Sequence, residues 1–546
     1  MTEKIPEEEK ESKPVISYHT FMFPFLFEMN KKMTRGKFEA CCHPGWFPDV
    51  WEPDAMKAPI WYNQYHYFNE ATQNAIYMPK DFKDNSQTVV KNLRFDLLSL
   101  TEENPKANPL REMTRQRNEN SQIQYVIRKD KDYYLDVNAI RMKLFNTGVG
   151  ILIFELENRD YPSENDVKLI NDIGRRIYAP YYAEDKEDKN RIFCTICAEA
   201  LYFAKDKKNI APDDDPSLIP KGIRAAADVT VLAKPIRQLL SNSNCHVTTN
   251  RNCAKNEICI EPIIDDRMFV ACYYINGDFV DAMREWDGDR YRYMTDAKSR
   301  VPSENEKNSN TAHRLYTMMY VDSNGICCHG RDMLQKLLSD DHIYTRWLEY
   351  SWFDKKESER VFAGTITGFS EYTMISVAKN PPEHLINAFL TQYVEIAILV
   401  LAQRASLLAF EYMISECARG KHYEVQTIQK KYTLFQSQIL LKEVSPQQQG
   451  IELYDLLKKN LMIEKEQSEI KEQISGLFEQ NNFYHDAKEN KILFLISMIG
   501  LLEAVNTGVD IFEPGKCVSL ILKIILFFVS LIGIALFILL KSKKNK

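Results

Sequence analysis

Val518 to Leu540 reads VSLILKIILFFVSLIGIALFILL, 23 residues broken by one charge, Lys523, and followed by Lys541, Lys543, Lys544 and Lys546. An apolar helix of this length spans a bilayer's hydrocarbon core, and the lysine-rich tail stays cytoplasmic by the positive-inside rule. The chain's twelve cysteines show no regular spacing of a disulfide framework, so the long N-terminal part reads as reduced and cytoplasmic as well. One crossing cannot leave both ends on the same side. A second span is required.

It lies just upstream, over residues 492–512, ILFLISMIGLLEAVNTGVDIF. Its strongly apolar residues contribute about −5 kcal/mol to insertion, and Glu503 near mid-depth takes back about 3 kcal/mol. Alone the segment is marginal. Joined to the second span through the outer turn Glu513-Pro514-Gly515-Lys516-Cys517, it forms a hairpin with both ends inside. Glu503, with Asn506 and Thr507, is then placed to line a cation path as a ring contributed by several copies.

Upstream, no proline interrupts the chain between Gly450 and Pro514, and Leu456, Ile463, Ile470 and Leu477 recur every seven residues. Asn460, Gln467, Ile474 and Asn481 sit four positions further on, which gives a narrow, half-polar seam. A helix running without interruption from this stalk through the first span would be about 90 Å long, and symmetric copies of itself are its simplest support. The alternative is a break near Asn481-Asn482. Before the stalk, residues 382–416 carry the block YVEIAILVLAQRASLLAFEYMI. Glu395, Gln403 and Arg404 interrupt it, and a third span would spoil the even count, so it reads as a buried helix. A return helix to about Glu443 and the breaker SPQQQG at 445–450 complete a hairpin.

The chain thus divides into a disordered acidic leader (1–16), a mixed α/β (α+β) domain (17–380), a helical hairpin (381–449), a stalk helix (450–491), a transmembrane hairpin (492–512 and 518–540, outer turn 513–517) and a basic tail (541–546). A soluble domain, a helical hairpin, a very long helix and two spans with a lysine-rich end resemble the CorA divalent-cation channel architecture over about the last third of the chain. The outer Gly-Met-Asn signature of that family is replaced here by Asn506-Thr507-Gly508. The N-terminal HTFMFPF and the large soluble domain are similar to divergent CorA-like proteins associated with type III CRISPR defence. The resemblance implies an oligomer, a pentamer on the family pattern, in the inner membrane with both termini cytoplasmic. It also implies gating by an adenylate-containing second messenger, of the S-adenosylmethionine-AMP or cyclic oligoadenylate type. A constitutive magnesium-type transporter with a divalent cation as its cargo, and a membrane-anchored enzyme or scaffold, are the competing readings.

The soluble part is mildly acidic overall, in keeping with a net charge of −6 for the whole chain, and gives no reason to expect nucleic acid as a partner. The acidic leader lacks the basic n-region of a secretory signal. In Tyr18–Phe27, YHTFMFPFLF, four phenylalanines alternate along one face of a strand, and Pro24 restricts that strand to a sheet edge or a bulge, of which a buried edge strand is the expectation. Asn146-Thr147-Gly148 turns a hairpin within residues 137–158, residues 165–180 follow as an amphipathic helix, and RMFVACYYI, RLYTMMYVD and YTMISVAKN read as strands.

No phosphate loop, zinc-protease or serine-hydrolase motif is present, and the expectation is a non-enzyme without catalytic residues. Cys194-x-x-Cys197 stands without a second pair, and Cys245, His246, Cys253 and Cys259 lack paired spacing, so buried thiols are preferred to a metal site. A phosphorylated ligand needs cations beside aromatic faces. Two stretches offer both: Arg175, Arg176 and Tyr178 with Tyr181 and Tyr182, and Arg284, Trp286, Arg290 and Arg292 in REWDGDRYRY. For each, a salt-bridged surface is the plainer alternative.

Overall fold

The structure is a computed structural model. It describes residues 13–28, 33–51, 64–79, 83, 88–100, 123–129, 131–178, 183–184, 192–193, 200–205, 208–209, 232–249, 257–263, 267–284, 314–315, 317–319, 343–351, 360–420 and 424–511. The expected leader through residue 12 and the segments read from the sequence as outer turn (513–517), second span (518–540) and basic tail (541–546) lie outside the described residues. The chain forms two compact units, Met1–Lys471 and Glu472–Lys546.

The first unit is mixed α/β, built on one sheet in which thirteen strands are described. In chain order these are β1 (Ser17–Leu26), β2 (Trp46–Pro48), β3 (Val90–Phe95), β4 (Ile123–Arg128), β5 (Asp132–Phe145), β6 (Val149–Asn158), β7 (Ala200–Lys205) and β8 (Lys208–Asn209). They continue as β9 (Glu261–Pro262), β10 (Phe269–Ile275), β11 (Ile343–Ser351), β12 (Arg360–Phe369) and β13 (Thr373–Lys379). The order across the sheet is β8-β7-β4-β5-β6-β1-β10-β13-β12-β11, with β3 on β5, β2 on β3 and β9 on β1. β10 and β13 pair in parallel, and the rest of that path is antiparallel.

The alternating phenylalanines do share one face: Phe21, Phe23, Phe25 and Phe27 are fully buried with Leu152, Phe154 and Leu156. Helices α1 (Arg35–Cys41) and α3 (Glu164–Gly174) contribute Phe38, Val167, Ile170 and Ile173 to that core. Ser163 caps α3 by accepting from the Asp166 amide at 3.1 Å, and its apolar residues recur at helical spacing. β1 is not an edge strand, however, but a central one between β6 and β10. A residue's carbonyl and its amide position point to the same side of a strand, and the Pro24 carbonyl accepts from Ile263. The missing N–H therefore faces the gap where β1's partner changes from β10, paired through Met22, to β9, which starts at Phe25. No bond to β6 is lost, and proline is tolerated inside the sheet.

β5 and β6 form the expected hairpin, with Gly148 at φ +90° in its turn. A second expectation fails at RLYTMMYVD, where residues 314–315 and 317–319 are helical. Leu315, Met318 and Met319 are buried at spacings of three and four, a helical stripe that the β-branched and aromatic content masks.

The other face of the sheet is covered by one helical run, α5 (Glu383–Ala388), a π-helical turn (Phe389–Tyr393) and α6 (Val394–Ala418). Among the described residues this is the one stretch long and apolar enough to cross a membrane. Its polar interruptions are each matched inside the unit. Glu395 pairs with Arg141 and Lys143, Gln403 Nε2 donates to the Ile439 carbonyl and to Tyr454 Oη, both at 2.8 Å, and Arg404 lies 3.8 Å from Glu466. It is a core helix.

The return helix α7 (Val425–Gln438) is followed by α8 (Gln448–Asn460) and then α9 (Ile463–Ile511). The heptad run is therefore not one helix from 450. It breaks at Leu461-Met462, with Met462 at φ 53°, a left-handed joint that reverses the chain for a residue. No break occurs at Asn481-Asn482. The boundary between the two units falls within α9.

Candidate functional site

A short helix, α2 (Glu70–Ile76), ends beside the face of β3 and β5 that does not meet the phenylalanine core. The alternation is strict on β3: Leu93 and Phe95 enter the core, while Asn92 and Arg94 line a cavity of about 410 Å³. β5 does the same, with Ile140, Met142 and Leu144 in the core and Arg141 and Lys143 in the cavity. Antiparallel pairing sets Asn92 opposite Lys143 and Arg94 opposite Arg141. Three cations and an amide thus form a two-by-two grid on the cavity floor.

Like charges directly opposite in a sheet repel, so the grid needs acids. Glu155 on β6 accepts from Arg141 Nε at 2.7 Å. Glu395, reaching down from the first turn of α6, meets Arg141 Nη1 at 2.6 Å and Lys143 Nζ at 2.9 Å. The Lys143 and Glu395 side chains are each only 4% exposed. Burial opposes ionisation of Glu395, yet the two cations hold its carboxyl below the usual range. Burial likewise pulls the Lys143 ammonium down against the pull of Glu395. Lys143 Nζ and Asn92 Nδ2 both donate to the carbonyl of Ile76, each at 2.8 Å, where the last carbonyls of α2 lack helical partners.

The grid is not fully satisfied. Asn92 is 7% exposed and its Oδ1 has no hydrogen-bond partner among the described residues. The half-buried Arg94 side chain makes no ion pair or hydrogen bond with any described residue. Asp49 makes no ion pair with a described residue either, although its charge is felt by both Arg141 and Lys143.

One wall is aromatic. Trp51 stacks on Tyr65 at 5.6 Å and 10°, and its ring lies 4.5 Å from that of Tyr77. Burial and the nearby Glu395 charge push the Tyr77 phenol well above its usual value. Two backbone irregularities also meet at the cavity. Asn138 is the extra residue of a β-bulge in β5, and Leu390 and Thr391 belong to the π-helical turn. Both kinds of irregularity concentrate at functional sites because each re-aims a side chain at some cost to the regular ladder.

The clusters singled out in the sequence lie elsewhere. Arg175 and Arg176 are buried at the end of α3, 1% and 3% exposed. The Arg175 carbonyl accepts from the Met268 amide, and Arg176 Nη2 lies 3.3 Å from Asp172 Oδ2. Tyr178 is half-buried against the core, and burial pushes its phenol up to about 12. Arg284 is exposed at the end of a helix over 277–284. Trp286, Arg290, Arg292, Tyr181 and Tyr182 lie outside the described residues, as do Cys194, Cys197 and Cys253. Of the described ones, Arg175, Arg176, Tyr178 and Arg284, none lines the cavity. Glu503, Asn506 and Thr507 fall in α9. Among the described residues, no group of three or more His, Cys, Asp or Glu is placed to hold a metal.

The cavity floor was missed because Asn92-x-Arg94 and Arg141-x-Lys143, each alternating with apolar residues, look like the solvated face of a strand. The signal that could have found it is Glu395, a lone acid in the most apolar helix, which demands buried cations. The sequence matches no family model and no curated protein.

Proposed function

We propose that the chain is a ligand-gated membrane effector of CorA-like, two-span architecture, sensing a phosphorylated, nucleotide-like molecule in its α/β unit and passing cations through an oligomeric membrane hairpin. The observation that carries this reading is the pairing, in one chain, of a charged and incompletely satisfied cavity with the apolar segments 492–512 and 518–540. A cavity of this volume suits a nucleotide-sized ligand, and its floor and wall supply the cations and aromatic faces such a ligand uses. On α9, Ile492, Leu493, Leu495 and Ile496 are exposed, 44% or more each. Four large apolar side chains in five positions favour a lipid or subunit environment over water.

In this reading both termini are cytoplasmic, the membrane is the cell's inner membrane, and copies of Glu503, Asn506 and Thr507 form the ring that cations pass. Ligand binding shifts the helices between two packings only to the extent that it binds one of them better. The biological setting is antiviral defence, in which opening dissipates the membrane gradient.

The test is reconstitution of the full chain into liposomes loaded with an ion-sensitive dye. Adenylate second messengers, linear and cyclic, should release the gradient, and their absence should leave it intact. Folded, inserted protein that leaks with no nucleotide, or that never leaks, overturns the gating.

A further inference from the structure

Resting on the ligand-gated reading above, and adding to it the site and the exchange by which the ligand is read, we infer that the cavity binds an anion of the phosphate class. Arg94 receives it first, and it then takes the place of Glu395 on Arg141 and Lys143.

Three independent observations converge. Arg94 stands opposite Arg141 and makes no ion pair or side-chain hydrogen bond with any described residue, so among those residues the grid holds one cation that no acid contacts directly. A guanidinium is weakly hydrated and presents a planar fork of donors that matches a phosphate or carboxylate edge. Asn92, 93% buried on the same floor, keeps an acceptor without a donor, as a site built for a partially protonated oxyanion or a ligand N–H would. The β-bulge at Asn138 and the π-helical turn at Phe389–Tyr393 bring two further polar side chains, Asn138 and Thr391, to the same space.

The exchange follows from where Glu395 is anchored. It sits two residues beyond the π-helical turn, and it reaches the grid from a helix whose other polar tie to the β5–β6 hairpin, Ser406 to Thr147, lies three turns further along. An incoming anion offers Arg141 and Lys143 the same charge without that tether. Once replaced, Glu395 loses two close cations, and the N-terminal end of α6 loses its ionic attachment to β5. A helix with a single-residue π insertion can relax locally there, because one residue is already out of α-helical register. A ligand that reaches only Arg94 leaves the attachment in place. Occupancy and release of α6 are therefore separable.

The experiment uses the full chain in nanodiscs, with adenosine 5′-monophosphate, inorganic phosphate and uncharged adenosine as probes, followed by calorimetry and by thermal unfolding. Adenosine 5′-monophosphate should bind at least tenfold more tightly than adenosine. Arg94→Gln should lose at least tenfold of that affinity while its unfolding midpoint without ligand stays that of the parent, since Arg94 has no ion pair with a described residue to lose. Glu395→Gln removes the competitor; it should lower the midpoint without ligand and enlarge the upward shift on adding the phosphate probe. Failure of all phosphate-bearing probes to bind, equal binding of adenosine, or unchanged affinity in Arg94→Gln overturns the site. A Glu395→Gln variant that is destabilised but shows the parent's ligand-induced shift overturns the exchange. These readouts do not use ion flux. Arg94-dependent binding without any leak leaves the site standing and defeats the gating, and a ligand-induced leak undiminished in Arg94→Gln does the reverse.

Discussion

His19 shows how one residue ties β1 to the helix behind it. Its Nδ1 lies 2.7 Å from Asn171 Oδ1 on α3 and its Nε2 lies 2.9 Å from Ser17 Oγ, with Asn158 Nδ2 donating to the same hydroxyl. The arrangement has the order of a hydroxyl, an imidazole and an amide, but every member is fully buried, and the cavity's lining includes none of them. It is a structural network. Desolvation lowers the His19 pKa to about 4, with the Asn171 contact opposing. An unfolded chain takes up this proton near pH 6.5, the folded one only near 4. Between those values the unfolded state binds more protons, so stability present at neutral pH falls on acidification, by about 3 kcal/mol over the full window. Denaturant midpoints of the full chain measured from pH 7.5 to 4.5 should fall accordingly. In His19→Gln, which does not titrate, a clearly shallower decline is expected, and an unchanged decline would assign the pH response to other groups.

At the scale of elements, the turn between β5 and β6 sets the register of the two strands that carry Arg141 and Glu155. Gly148 closes the β5–β6 hairpin at φ +90°, and an added Cβ would stand 2.7 Å from the Glu28 Cβ. Its neighbour Thr147 shares a 2.8 Å hydrogen bond with Ser406 on α6, so the turn also seats the helix over the sheet. Gly148→Ala combines an unfavourable backbone region with a close contact and should cost about 1–2 kcal/mol, read as a drop in unfolding midpoint. A midpoint within error of the parent would show that Glu28 moves aside freely. This turn was legible in the sequence because Asn-Thr-Gly between two alternating runs has a local cause. So was the phenylalanine row, a period of two. The position of β1 in the sheet was not, since proline's rule concerns one N–H and the partner change at Pro24 is made by residues 240 positions away. The cavity was illegible for the same reason: Asn92, Arg141 and Glu395 meet only through pairing of distant strands. The joint at Met462 left no glycine to announce it.

On the two-span reading proposed for the whole molecule, the decisive question is whether the C-terminal segments conduct or merely hold the α/β unit at a bilayer. Composition cannot separate these, because an anchor and a pore both need apolar helices. Glu503 can. An acid near mid-depth of an anchor is only a burden of about 3 kcal/mol on insertion, whereas a ring of acids from several copies concentrates cations and sets the sign of the current. Glu503→Leu should therefore insert at least as completely as the parent, scored by protease protection and carbonate extraction. For an anchor, ligand-dependent activity of the variant would then match the parent. For a pore, the ligand-evoked cation flux in liposomes should fall by tenfold or more while phosphate-probe binding to the α/β unit stays unchanged. Glu503→Asp, which keeps the charge, should retain cation over anion preference. Undiminished flux in the leucine variant would take Glu503 out of the conduction path of the proposed hairpin.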